Sequence, residues 1–569
     1  MTNQELDPTR PDDGVDLYAR DAETFKEPPR DLRTTLRYLG PGFILVGSIV
    51  GSGELIMTTK LGAQAGFTLL WFVLISCVIK TVVQAELGRH VISSGETILV
   101  MFNKLPGPRG RRPDWLCLEW LGVVVLSSLG GLAVWTGFLA GSGSGQASQA
   151  AVSDTGGAAG PLGILAVVLV CWYVSAFGLA RYRRRRETAT SGSQSRPTLG
   201  WFLWLYLACQ LVMFVNGGAV IGGAGQALAL GFRNVLGETD ARIWTVGVAI
   251  CCGILLLAGR YNMLERVSLG LVAVFTLITL LCTVLLNWTG NAVTVDDVRQ
   301  GLSFSLPKVL GAEVTLTMVV LTGLGMYATT GIGTWEMMHY TYWCVEKGYA
   351  RHAGANQAGA DWPRRARGWI RVMYIDVLLT MVIFTVSTIC FYFLGAAILY
   401  PEHDPNGPET LVVLQSIYTE SLGNWAATLF VVGGFMVLFS TTFSATAGTS
   451  RLVADALCVI GIIDPHDYAG RMRFIRYYIV FGLAMGTLTY CLLENPPLML
   501  IISGFVSVVF YPVFGLGTLY LRYRGVDPRI RPGHITTTWL WICGIALALL
   551  SPAAAVFILA LKQGWFAIS

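Results

Sequence analysis

Residues 45–57 read Leu45-Val46-Gly47-Ser48-Ile49-Val50-Gly51-Ser52-Gly53-Glu54-Leu55-Ile56-Met57, an apolar run broken in its middle by Gly51-Ser52-Gly53-Glu54. An ionised carboxylate in the core of a bilayer is costly unless it faces a cavity or a partner. Backbone that leaves the helix at that depth is tolerated only where it is buried in protein or lines a cavity. The same pattern returns at Gly331-Ile332-Gly333-Thr334-Trp335-Glu336, again Gly-x-Gly followed shortly by Glu. Interrupted apolar segments at matching positions of two halves point to a transporter site near the membrane midplane.

The rest of the chain agrees with a polytopic all-α membrane protein. Apolar residues make up 54% of it and charged residues 13%, about half the charged share of an ordinary soluble domain; the mean hydropathy is +0.58. The 65 glycines suit membrane helices that pack closely. Apolar segments at 38–62, 67–92, 117–140, 161–181, 201–232, 243–259, 267–287, 312–342, 371–399, 425–450, 475–493, 497–521 and 537–560 are each long enough to cross a bilayer. With the N-terminus in the cytoplasm, alternation puts the bases inside: Lys104 to Arg112, Arg181 with Arg183–Arg186, Arg260 and Arg266, Lys347 to Arg367, Arg471 to Arg476, and Arg522 to Arg531. The outer loop after 399 carries Glu402, Asp404, Glu409 and Glu420 instead. This asymmetry is the positive-inside rule, and it predicts a multi-pass protein of the cell (plasma or inner) membrane. The net charge of +5 therefore reports topology and not a nucleic-acid partner.

Setting aside the segments at 117–140 and 161–181, each broken helix opens a five-helix unit. The division expected is a cytoplasmic, mobile tail over 1–37, a first repeat over 38–112 and 200–288, an inserted helical hairpin with a basic loop over 113–199, a second repeat over 312–523, and an additional helix over 537–569. A hairpin crosses an even number of times, so it leaves the downstream topology unchanged. The arginine run Arg181–Arg186 is read as a topology anchor, with anionic-lipid binding as the alternative.

Glu54 and Glu336 are the central candidates: two carboxylates that share a cation, or that cap the two helix breaks. His339, one turn after Glu336, is a proton relay near neutral pH or a hydrogen-bonded core histidine. Met337 is a soft thioether ligand or packing. Lys80, deep in the second segment, pairs with a carboxylate or serves a structural ion pair. Glu86, Arg89, His90 and Asp376 are expected at the membrane interface. The 12 cysteines form no Cys-x-x-Cys pair, so neither a zinc nor a redox motif is present. Gly141-Ser142-Gly143-Ser144-Gly145 lacks the Gly-Lys-Ser/Thr ending of a phosphate loop. No nucleophile–base pair stands out, and no enzyme activity is expected.

Several stretches resemble the Nramp divalent-metal transporters: Leu39-Gly40-Pro41-Gly42-Phe43, Leu61-Gly62-Ala63-Gln64-Ala65-Gly66-Phe67 with Leu69-Leu70-Trp71, Gln84-Ala85-Glu86-Leu87-Gly88-Arg89 and Gly95-Glu96-Thr97. The resemblance covers most of the chain after residue 38, outside roughly 113–199. It implies a LeuT-type fold of two inverted five-helix repeats, each with a broken first helix, giving about 11 core helices of membrane-spanning length besides the hairpin. The departures fall at the site. Where the family reads Asp-Pro-Gly-Asn, with Asp and Asn on the metal, this chain has Gly51 and Glu54. The family's Met-Pro-His becomes Met337-Met338-His339, and acidic positions tied to proton transport become Asn216 and Ala219. The chain looks like a divergent Nramp-related branch.

The expected function is secondary transport by alternating access of a divalent cation of the Mg2+ or Mn2+ class, with no cofactor, the cation being substrate. Its partners would be the lipid bilayer and a small cationic substrate. Gly51, Glu54, Glu336 and Met337 would bind it, the last three as metal ligands, and His339, Lys80 and Asn216 would relay protons or gate. On this reading Glu54→Gln abolishes binding while folding survives. The alternatives are a carrier of an organic cation or amino-acid-like solute, and a membrane sensor that no longer transports.

Overall fold

A computed structural model describes residues 18, 25–142, 156–187, 197–258, 261–288, 292–307, 314–356, 361–401, 405, 410–423 and 425–562. The loop acids Glu402, Asp404 and Glu409 and the acidic start of the N-terminal tail lie outside the described residues, as do the side chains of Arg183–Arg186.

The first broken helix is α1–α3: a short α1 (Leu32–Tyr38), then α2 (Pro41–Ile49), a turn at 50–52, a π-helical stretch Gly53–Thr58 and α3 (Thr59–Ala65). Pro41 at the first turn of α2 suits a position whose N–H has no helical partner. α4 (Leu70–Ser94) crosses next and α5 (Ile98–Asn103) is short. Strand β1 (Arg109–Arg111) leads into α6 (Leu118–Ser142) and α7 (Gly156–Glu187), which pack on each other, and β2 (Thr198–Gly200) returns. β1 and β2 pair antiparallel, Arg109 opposite Gly200 and Arg111 opposite Thr198. Then come α8 (Trp201–Gln210), α9 (Val212–Leu236), α10 (Ala241–Ala258), α11 (Tyr261–Leu285) and a short α12 (Val295–Gly301).

The second broken helix is α13 (Leu316–Thr329) and α14 (Thr334–Glu346), joined by extended residues at which Gly331 has φ +65°. It is followed by α15 (Tyr349–Ala353), α16 (Asp361–Leu394), α17 (Thr410–Leu422), α18 (Ala426–Ile460), α19 (Tyr468–Leu493), α20 (Pro496–Arg524) and α21 (His534–Lys562). Both expected breaks are present. Among the described residues eight helical segments are long and apolar enough to cross a membrane, and α6, α7, α11 and α21 each contain a shorter apolar stretch.

The helices are inside-out relative to a soluble bundle. α10 exposes Ile243, Val246, Ile250, Ile254 and Leu257 along one face and buries Thr245, Val248 and Cys252 on the other. α9 sits centrally, touching α10, α18, α19 and α20. Its small residues make this possible: a Cβ at Gly222 would lie 1.9 Å from the Tyr490 ring, and one at Gly225 would lie 2.1 Å from the Thr245 hydroxyl.

Four expectations change. The segment 201–232 is not one helix: it is interrupted at Leu211, where the Phe214 N–H bonds back three residues to the Leu211 carbonyl at 3.2 Å. The tail is not free over 25–30. The Lys26 N–H donates to the His352 carbonyl at 3.0 Å, the Trp369 indole donates to the Lys26 carbonyl at 3.0 Å, and Glu27 pairs with Arg364. Glu86, Arg89 and His90 are buried, not interfacial: Glu86 bonds to both Arg89 and Arg522, and Arg89 also donates to the Ile530 carbonyl at 2.9 Å. Asp376 is also fully buried, for a reason that belongs to the site.

Candidate functional site

The two breaks meet each other directly. A Cβ at Gly53 would fall 2.1 Å from the Thr329 carbonyl at the end of α13, and one at Gly51 would fall 1.8 Å from the Thr441 hydroxyl of α18. Neither glycine has a positive φ. They are needed for close approach, not for unusual backbone angles. Thr58 and Thr330, one from each break, share a hydrogen bond of 2.8 Å.

Glu54 is fully buried at this junction. One oxygen accepts from the Gly331 N–H at 2.8 Å, the other from the Gly51 N–H at 3.2 Å. Both oxygens therefore serve as acceptors for backbone N–H groups. Glu54 thus ties the first break to the second and satisfies donors that no helix serves.

The freed carbonyls of α13 are satisfied from α4 and α20. Lys80, fully buried, donates to the Tyr327 carbonyl at 2.7 Å and to the Thr330 carbonyl. The Tyr511 hydroxyl donates to the Tyr327 and Ala328 carbonyls at 3.1 and 3.2 Å. The ammonium also lies 5.1 Å from the centre of the Tyr327 ring. A cation at the C-terminus of a half-helix complements its dipole. The carbonyl end of α2 is met by the Ser440 hydroxyl, 3.1 Å from the Gly47 carbonyl. Its N-terminus is met by Asp376, which accepts from the Gly40 N–H at 3.1 Å and the Gly42 N–H at 2.7 Å. Asp376 is therefore a helix cap supplied from α16, buried because its partners are.

Glu336 is placed differently. It lies in the first turn of α14, and the Ser48 hydroxyl donates to it at 3.2 Å. It faces a cavity of about 70 Å3 between α9, α14, α18 and α19, shared with Asn216, Trp335, His339, Thr446 and Thr449. His339 has one ring nitrogen 3.2 Å from the Thr449 hydroxyl; its Nδ1 and the Trp335 indole nitrogen are buried with no partner. Asn216 accepts from the Ser503 hydroxyl at 3.0 Å.

The structure therefore brings Glu336, His339 and Asn216 to one cavity and puts Gly51, Glu54 and Lys80 at the adjoining break. Met337 is completely buried and does not line the cavity. Among the described residues no group of three or more His, Cys, Asp or Glu side chains could hold a metal. Thr330, Tyr511, Ser440 and Asp376 were not legible as site residues. Hydroxyls are common on membrane helices, and their partners are remote in sequence.

Two broken helices crossing at the centre of a bundle, with a buried carboxylate on a small cavity, define a membrane transporter of the LeuT-type inverted-repeat class. The model of the natural resistance-associated macrophage protein-like family, Nramp, matches residues 162–558, more than half of the chain, and the chain belongs to that family. The match begins after the opening segment on which the sequence resemblance rests. Similar solved structures include the Eremococcus coleocola manganese transporter in complex with an aromatic bis-isothiourea substituted compound. It is 13% identical with a TM-score of 0.56, over 96% of this chain and 92% of that one. A mutant of the same transporter is 14% identical with a TM-score of 0.56 over the same shares. Likeness at that identity is one of fold. Comparison with curated proteins finds no match. Members of the family are transporters and not enzymes, and this chain is a multi-pass membrane transporter.

Proposed function

We propose that this protein is a secondary transporter of a divalent cation of the Mg2+ or Mn2+ class, carried with part of its water shell. The observation that carries this reading is the Glu336 carboxylate on a cavity of about 70 Å3. That is roughly half the volume of a pocket that holds one benzene ring, about 150 Å3. An organic cation or an amino-acid-like solute needs more room; a cation with a few waters does not. One carboxylate with amide and hydroxyl oxygens from Asn216, Thr446 and Thr449 is a hard donor set, and a small divalent ion that dehydrates reluctantly keeps waters in the remaining positions. The manganese transporter that shares the fold supports a metal cargo.

In this proposal Glu336 is the binding carboxylate, and Glu54 joins the two breaks. Lys80 is a resident positive charge on the carbonyls of the second break, so the substrate sits on the Glu336 side. His339 lines the same cavity with its Nε2 on Thr449 and borders the hydrated ion there. Alternating access then opens this cavity to either side through movements of the half-helices.

Isothermal titration of the purified protein with Mn2+, Mg2+ and Ca2+, beside Glu336→Gln, tests the reading. Saturable binding that disappears in the variant is expected. Binding that survives in Glu336→Gln, or no binding of any divalent ion to the wild type, removes the proposal.

A further inference from the structure

A second and larger cavity, about 310 Å3, lies between α6, α8, α9, α18 and α19. Its walls are nearly all apolar, and α6 of the inserted hairpin closes one side with Leu121 and Gly122. The hairpin is held together by the Trp120 indole on the Trp172 carbonyl at 3.1 Å and the Trp172 indole on the Ser127 hydroxyl at 2.9 Å. The outer face of α7 exposes Val167, Val170, Val174 and Phe177. The cavity therefore stands at the bilayer, where the available apolar occupant is an acyl chain. Its volume is about twice that of a benzene-holding pocket and accommodates on the order of a dozen carbons.

Polar groups mark where that chain would end. Tyr206 is fully buried and lines the cavity, yet its hydroxyl has no partner. Beside it Gln210 donates to the Tyr478 hydroxyl at 3.0 Å, and its own oxygen is unpartnered. A buried hydroxyl without a partner is costly unless a ligand completes it, and an ester carbonyl accepts such a proton. At the start of α19, Arg473 is exposed one residue before Phe474 and one turn before Tyr477, both of the cavity wall. A cation beside an apolar slot favours an anionic head.

We propose that this cavity binds one acyl chain of an anionic glycerophospholipid from the surrounding membrane, its ester carbonyl on the Tyr206 hydroxyl and its phosphate at Arg473. The lipid touches the transport machinery through its wall. Phe214 and Tyr478 line both this cavity and the one at Glu336, and the Tyr206 ring packs 5.9 Å from Trp335. The inserted hairpin thereby makes a lipid site that abuts the transport site. This inference stands independently of which cation is carried.

Native mass spectrometry of the full chain, released from nanodiscs of mixed dioleoylphosphatidylglycerol and dioleoylphosphatidylcholine, tests it. The wild type should retain one phosphatidylglycerol. Arg473→Gln should lower that preference about fivefold, the effect of one basic side chain at a membrane surface, and Arg476→Gln, on the face of α19 opposite the cavity wall, should leave it unchanged. A Cβ at Gly122, which lines the cavity, meets nothing within 4 Å, so Gly122→Phe can place its ring in the slot and should abolish retention. Tyr206→Phe, which keeps the ring, should weaken it severalfold. Retention by Gly122→Phe equal to that of the wild type, with an unchanged melting temperature, overturns the proposal. Equal retention of the two lipids, or a wild type that carries only detergent, overturns it as well.

Discussion

Replacing Glu54 by Gln separates a structural tie from a ligand. In the wild type one carboxylate oxygen accepts from Gly331 at 2.8 Å and the other from Gly51 at 3.2 Å, across the junction of the two breaks. A glutamine keeps one acceptor and turns an N–H donor toward the other N–H. One hydrogen bond is lost and its buried N–H is left without an acceptor, about 1–3 kcal/mol. The variant should lose about 2–3 kcal/mol. For a chain of this length that lowers the melting temperature by on the order of 2 °C. Tryptophan fluorescence of detergent-purified protein reads the transition. Glu336→Gln, with a single hydroxyl donor and a cavity beside it, should melt close to the wild type and lose cation binding. The reasoning fails if Glu54→Gln melts within about 1 °C of the wild type and yet binds no cation, for then Glu54 is a ligand and not a tie.

Lys80→Met strips the Thr330 carbonyl of this donor, leaves the Tyr327 carbonyl with Tyr511 alone of the two described, and takes a positive charge from beside Glu54 and Glu336. It should destabilise the protein by about 3–5 kcal/mol, the effect of removing one partner from a buried charged network, read in the same melts. Gly53→Ala drives a methyl group to 2.1 Å from the Thr329 carbonyl and should give little folded protein by size-exclusion chromatography; Gly110→Ala, with nothing within 4 Å, should behave as wild type. Asp376→Asn keeps the shape of the α2 cap and removes its charge, and should lower stability by about 1–2 kcal/mol. Outside the membrane-spanning segments, burial pushes the His352 imidazole down to about 3, helped by Lys26, Arg351 and Lys347. The unfolded chain takes up that proton below pH ~6.5 and the folded chain does not. The stability His352 contributes is thus complete above the unfolded value and falls as the pH drops toward the folded one. His352→Phe should flatten the dependence of the melting temperature on pH between those limits.

The two breaks were legible because each is written locally, as glycines and a carboxylate in an apolar run. The roles within the site were not. Glu54 and Glu336 look alike in sequence, and only the approach of Gly331 to one and the opening of a cavity at the other distinguish them. Asp376 reads as interfacial from its place near the start of an apolar segment, because its partners Gly40 and Gly42 lie in another helix far back in the chain. Glu86 and Arg89 mislead for the same reason: burial of an ion pair depends on Arg522, which no local pattern connects to them. The interruption at Leu211 leaves no glycine or proline to announce it.

The short ribbon of β1 and β2 carries a consequence for how this chain is assembled. Beyond the paired residues Arg111 and Thr198, the Arg112 N–H still bonds to the Pro197 carbonyl at 3.1 Å. The chain therefore leaves for the hairpin and comes back at one doorway, its two ends stapled together before either helix begins. The described residues of α6 and α7 hang from that doorway as one unit, with α6 leaning on α19. Excising that unit and closing the doorway with a tight turn would keep the spacing of the helices on either side, and would uncover the faces of α8 and α19 that Trp115 and α6 now cover.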